Sequence, residues 1–252
     1  MLQFRLLGPL EIVLPDGRIL EPSSEKMCKI LGILLLRNEV SSVDVLTREL
    51  WDDNPPRSAL TTLQTYVYHT RRMFDQACET GEEKPSLVTR PPGYELKVPA
   101  EQVDTKVFER SVAKGRELLG EGDAEEAGSI LRQGLALWRG PALANVDAGD
   151  VLRGHISHLE ELRIRALELR IEADRARGQR RDLIPELRSL VVSYPLNEWF
   201  HSQLINELHH GGRRAEALQA YQDLRRILND ELGLEPMAEI RRLHRDLLAS
   251  TA

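Results

Sequence analysis

The stretch "SALTTLQTYVYHTRRMF", Ser58 to Phe74, decides how the chain folds. At about 100° per residue, Leu63, Val67, Thr70 and Phe74 fall within about 60° of one another. That spacing predicts an amphipathic helix with these four side chains in the core. The opposite stripe repeats it with Thr61, Thr65, Tyr68 and Arg72. Thr62 and His69 flank this stripe on one side, Gln64 and Arg71 on the other. Thr and Val are weak helix formers, and an ordinary exposed face would use Glu, Lys and Gln. Yet no acidic residue occurs from Pro55 to Phe74, in a chain whose formal net charge is −6.

A face turned to water has little reason to exclude carboxylates. One laid against phosphates has a strong reason, because each carboxylate would repel the backbone. Hydroxyls, an amide, His and Arg hydrogen-bond base edges in the major groove, and Thr methyls can touch thymine methyls. The composition points to a helix made for a DNA groove. An ordinary amphipathic helix and a protein-binding helix are the alternatives. The acidic total does not exclude DNA, since what matters is where the basic residues lie.

Working outward, "QFRLLG", "LEIVL" and "RILE" around the turn "PDG" read as short strands from Leu2 to Leu20. An apolar helix is expected from about Ser24 to Arg37. In "SSVDVLTRELW", Ser42 is placed to cap a second helix with Val45, Leu46 and Leu50 facing inward. "DDNPPR" ends that helix, because Pro removes a backbone donor and restricts its predecessor. "SLVTRPPGYELKV" then reads as two strands joined by a Pro-Pro-Gly turn. This order is that of an α+β winged helix-turn-helix with an N-terminal sheet.

"VPAEQ" is the expected linker, giving a DNA-binding domain over 1–99, self-contained enough to fold alone, and a helical domain over 104–252. The helical half carries weak self-similarity. Gly122, Gly178 and Gly212 are each followed five positions later by Ala127, Leu183 and Ala217. The last two glycines stand 34 residues apart, the tetratricopeptide period, while the first spacing breaks it. Each glycine would end a helix and each following residue would let the next helix pack closely. The alternative is a generic helical bundle.

The totals exclude several classes. The longest apolar run, Ile30 to Leu36, is far short of the ~20 residues a membrane span needs. No secretory leader is evident, so a cytoplasmic protein without membrane partners is expected. Cys28 reads as a reduced core residue and Cys78 lies in a polar stretch; no CxxC pair suggests zinc or a disulfide framework. His155 and His158 could share a helix face, but no third metal ligand is indicated. His209-His210 reads as a helix C-terminus, where positive charge suits the dipole, and Trp138 as a core anchor. No nucleophile–base pair or phosphate-cradling loop is present, so neither an enzyme nor a cofactor is expected. A protein-binding scaffold and a small-molecule sensor remain as other readings.

The helix resembles the recognition helix of the OmpR/PhoB-type winged-helix domain, and "TRPPGY" (Thr89 to Tyr94) resembles its wing. More closely, "LLGPLEI", "ILGILLL", "ELWDDNPPRSALTTLQTYVYHTRR" and "PPGYEL" together resemble the Streptomyces antibiotic regulatory protein family. "LALWRGPAL", "YPLNEWFHSQLINELHHGGRRAEALQAYQ" and "LNDELGLEP" resemble that family's bacterial transcriptional activation domain. Thr70 departs from the family, which usually has an apolar residue there. Larger relatives add an ATPase or forkhead-associated module; neither is expected here, nor is a receiver domain.

The resemblance implies a transcriptional activator on tandem direct repeats near the −35 region, working as pairs of subunits. It would switch on antibiotic-biosynthesis genes through RNA polymerase holoenzyme, including its sigma factor, at the nucleoid. Thr61, Thr65, Tyr68 and His69 are expected at base edges. Thr62, Arg71 and Arg72 are expected nearer phosphates, Arg57 is the basic residue at the start of this DNA-binding helix, and Lys26 and Lys29 are weaker candidates for phosphate contacts. Arg90 matches the wing arginine that meets the minor groove or adjacent backbone. Asp52, Asp53 and Asn54 match the loop that faces polymerase in the family; read from the residues alone, a solvated turn is the alternative.

Overall fold

The computed structural model describes residues 1–37, 39–77, 84–178 and 183–249; Cys78 and part of "GQRRDLIPEL" lie outside them. The chain divides into two compact units, Met1–Arg170 and Ile171–Ala252.

The first unit opens with an antiparallel sheet of β1 (Gln3–Arg5), β2 (Glu11–Val13) and β3 (Ile19–Leu20). Phe4 and Ile12 pair across it and are fully buried, which fixes the register. Helix α1 (Glu25–Arg37) buries Met27, Ile30, Leu31, Ile33 and Leu34. Cys28 is a free thiol, only half-buried. Strand β4 (Ser41–Ser42), too short to show in the sequence, leads into α2 (Val43–Trp51). Ser42 caps α2 as expected, its hydroxyl accepting from the Val45 N–H at 3.2 Å. Leu46 and Leu50 face inward, with Val45 half-buried.

Helix α3 (Ala59–Ala77) buries Leu63, Val67, Thr70 and Phe74, the stripe read from the sequence. Thr70 is accommodated because its hydroxyl donates to the Tyr66 carbonyl at 2.9 Å. A core hydroxyl satisfied by its own helix avoids the cost of an unpaired buried polar group. The wing is β5 (Ser86–Arg90) and β6 (Gly93–Lys97), paired antiparallel, with β4 completing a sheet in the order β4-β6-β5.

After a 3-10 turn at Ala100–Gln102 come α4 (Asp104–Glu121), α5 (Ala124–Leu135) and α6 (Asp150–Ala176). Here the packing departs from the expected division near residue 100. Phe4, Leu34, Leu63 and Phe74 belong to one hydrophobic core with Phe108, Leu131, Leu143 and Leu152. Polar ties cross the same line. The Asp104 carboxylate accepts from the Leu6 and Leu7 N–H groups at 2.8–3.0 Å, and Asn145 accepts from the Leu10 N–H at 2.6 Å. Residues 1–99 therefore share part of their core with the helices that follow. Trp138 anchors part of it, edge-on to Phe108 with ring centroids 5.5 Å apart and under the Arg163 guanidinium at 4.5 Å.

The second unit contains the end of α6 and α7 (Leu183–Ser193), α8 (Glu198–His210), α9 (Arg214–Leu232) and α10 (Ala238–Ala249). Gly122, Gly178 and Gly212 adopt φ of +87°, +76° and +73°, the left-handed conformation that ends helices. The residues five positions later, Ala127, Leu183 and Ala217, are 0%, 3% and 0% exposed. The repeat reading of the sequence thus identified helix ends and close-packed positions. His210 is the last residue of α8, its Nδ1 2.7 Å from the Asn206 carbonyl oxygen. The chain has a winged-helix fold followed by a tetratricopeptide-like helical fold. Among the described residues no helix is long and apolar enough to cross a membrane.

Candidate nucleic-acid interface

The residues expected on DNA gather on α3 and the turn before it. Arg57, Thr61, Thr65, Tyr68, His69 and Arg72 are exposed, Tyr68 at 58%, while Thr62 is half-buried. Tyr68 and His69 meet edge-on, with centroids 5.4 Å apart. The Thr65 hydroxyl donates to the Thr61 carbonyl at 2.9 Å, so its free capacity is as an acceptor and a methyl surface.

Two residues of this face were not among those expected to touch DNA. Leu60, 51% exposed, and Gln64, also exposed, stand on the edge nearer Arg71. Gln64 was visible as a flanking residue; an apolar Leu60 carried no polar signal. On the other edge, His69 and Arg72 open onto a cleft of about 320 Å³ that Glu21 and Met27 also line.

The other expected cations are engaged within the protein. Arg71 is half-buried, its guanidinium donating to the Leu87 carbonyl at 2.7 Å and the Thr89 hydroxyl at 2.9 Å. Arg90 is exposed at the end of β5 and pairs with Glu95 at 2.9 Å. Lys29 is tied to Asp147 at 3.0 Å, and Lys26 lies over the Trp51 ring at 4.5 Å. Both lysines tie the first helix to its neighbours, a use that residue type and position alone did not show.

Asp52, Asp53 and Asn54 are all exposed in the turn between α2 and α3. The turn is held by the Asp52 N–H on the Arg48 carbonyl at 2.7 Å and the Asn54 N–H on Trp51 at 3.1 Å. Asp52 takes φ +51°, uncommon for a residue with a side chain. Arg153, at the start of α6, is hydrogen-bonded to Asp150 at 2.6 Å, which raises its pKa; the negative charge of Asp52 adds to that effect.

The chain is similar to known transcriptional regulators. Residues 103–248 match the bacterial transcriptional activator domain family. The chain is 37% identical over 251 residues to regulatory protein DnrI of Streptomyces peucetius, covering 98% of this chain and 92% of that protein. It is 38% identical to transcriptional regulator RedD of Streptomyces coelicolor over 81% of this chain and 58% of that protein. Regulatory protein AfsR of Streptomyces coelicolor is 32% identical over 98% of this chain, which spans 24% of its length. A solved structure of Mycobacterium tuberculosis EmbR in complex with a low-affinity phosphopeptide superposes with a TM-score of 0.90 at 30% identity, covering all of this chain and 66% of that one. With its winged helix, its activator domain and these relatives, the chain belongs to the Streptomyces antibiotic regulatory protein family, and is a transcriptional regulator, not an enzyme.

Proposed function

We propose that the protein is a sequence-specific activator that binds tandem direct repeats near a promoter's −35 region and recruits RNA polymerase to antibiotic-biosynthesis genes. One observation carries this reading. From Thr61 to Arg72 the solvent face of α3 presents hydroxyls, an amide, an imidazole and a guanidinium, with no carboxylate.

In this reading α3 enters the major groove. Thr61, Thr65, Tyr68 and His69 meet base edges, joined by Leu60 and Gln64, and Arg57, Thr62 and Arg72 hold phosphates. Gln can bond adenine bidentately and Leu60 can cover a thymine methyl. Thr65 accepts a base amino hydrogen. Arg90, released from Glu95, reaches the minor groove or its phosphates. Two subunits on repeats one helical turn apart lie on the same side of the duplex. Asp52, Asp53 and Asn54 then face the basic sigma region of polymerase. The protein works in the cytoplasm, at the nucleoid, without a cofactor.

Genome-wide footprinting of the full chain, followed by gel shifts in rising salt, tests the reading. Paired footprints upstream of target promoters are expected, with affinity falling as salt rises. Arg72→Ala should weaken every duplex and flatten the log–log salt slope by about 0.9 for each phosphate no longer neutralised. Absence of footprints, or retention of DNA independent of salt, would contradict it.

A further inference from the structure

Arg71 has the residue type and helical position of a phosphate-binding group, yet its guanidinium is turned away from the exposed stripe of α3. Its Nε donates to the Leu87 carbonyl at 2.7 Å and its Nη2 to the Thr89 hydroxyl at 2.9 Å. Among the described residues strand β5 is an edge strand, paired with β6 alone in its sheet. An edge strand leaves carbonyls facing away from its partner, and an unpaired carbonyl in a half-buried place is costly. Arg71 satisfies one of these and grips a side chain two residues further along the same strand.

We infer that Arg71 is a positioning residue: it sets the wing against α3, so that the helix and Arg90 engage DNA as one unit. The inference rests on the DNA-binding reading. Thr89, held by Arg71, directly precedes Arg90, and Arg90 is held on its other side by Glu95 at 2.9 Å. In the free protein the wing arginine is thus placed from α3 through β5 and rests on Glu95 of β6, from which DNA binding releases it. Only a guanidinium does this work, because its fork presents two donors in a fixed plane. Lysine would keep the charge and lose the two-point grip.

A phosphate-binding arginine and a positioning arginine respond differently to that change. Full-length wild type, Arg71→Lys, Thr89→Val, Arg90→Ala and the double variant Arg71→Lys with Arg90→Ala would be titrated with a promoter duplex recovered by footprinting. Hydrogen exchange of residues 86–97 would be followed in the free proteins. Arg71→Lys is expected to bind about tenfold more weakly, from loss of a charge-assisted two-point grip. Thr89→Val should bind more weakly too, and both variants should show faster exchange in the wing. The double variant should bind no worse than Arg90→Ala by more than about twofold, since both changes act on the same engagement of the wing with DNA. Wild-type affinity and exchange in Arg71→Lys would overturn the inference, as would independent, multiplying losses in the double variant. Failure of wild type to bind any duplex would instead overturn the DNA-binding reading, and the exchange data would still judge the grip of Arg71 on the wing.

Discussion

The Glu49 carboxylate accepts a hydrogen bond from the Gly149 N–H at 2.6 Å, joining the second helix of the winged helix to the start of α6, one hundred positions along the chain. Glu49 is 1% exposed, and its other oxygen accepts from Val151 at 3.0 Å and more weakly from Leu152 at 3.4 Å. The free N–H groups of a helix start, and the positive end of its dipole, are thus satisfied by one buried anion. A Cβ at position 149 would lie 2.8 Å from the Glu49 carboxyl carbon, so a larger residue there would displace this carboxylate.

Glu49→Ala should therefore destabilise the protein by about 2–3 kcal/mol, the cost of leaving buried donors without an acceptor. Urea unfolding of wild type and variant gives the number. A loss below about 0.5 kcal/mol would place the change among ordinary surface substitutions and deny Glu49 this role.

A fragment ending at Pro99 should lack cooperative unfolding. It retains Glu49 and the Leu6 and Leu7 donors but is without Gly149 and Asp104, and much of the shared core is missing from it. A fragment ending at Ala176, where α6 ends, should unfold cooperatively. Equal cooperativity in the two by circular dichroism would show that the winged helix is independent after all.

Asp104 gives a pH signature. Burial raises its pKa above the ordinary carboxylate value, opposed in part by the Leu6 and Leu7 hydrogen bonds and the charge of Arg139. The folded chain thus holds this proton more tightly than the unfolded chain. Its contribution to stability is greatest below the ordinary Asp pKa and falls as pH rises through the raised folded value. Asp104→Asn removes that titration, so the stability of wild type minus variant should decline from pH 4 towards pH 7. A difference that rises over the same range would contradict the burial argument.

The helical periods of α1, α2 and α3, the wing strands, the Ser42 cap and the helix-ending glycines were legible in the sequence because each is a local pattern. Thr70 was read into the core stripe, but a hydroxyl there can bond its own helix or a neighbour, and only the structure shows the Tyr66 carbonyl as its partner. Nothing local marks Glu49 or Asp104, because their partners lie about a hundred residues away. For the same reason the boundary drawn at the change of texture near residue 100 is not where the core ends. Among the candidate DNA-binding residues, the α3 stripe was legible through the absence of carboxylates. The roles of Arg71, Lys26 and Lys29 were not, because a cation's partner is set by tertiary packing.

Asp52 and Asp53 should matter for transcription and not for affinity. They stand exposed in a backbone-held turn. Exposed pairs of this kind are worth only about 0.2–1 kcal/mol each and weaken with salt. Asp52→Ala with Asp53→Ala should leave promoter affinity intact and lower the yield of a purified polymerase assay. Equal transcription at saturating activator and low salt would reduce the loop to a turn.

On DNA, α3 is expected in the major groove and the wing at the minor groove, twice along the site. Dimethyl sulfate interference measures this directly, because it methylates guanine N7 in the major groove and adenine N3 in the minor groove. Two clusters of N7 interference about one helical turn apart are expected, each flanked by N3 interference that Arg90→Ala abolishes. Full binding to duplexes methylated at N7 throughout both repeats would contradict this placement of α3.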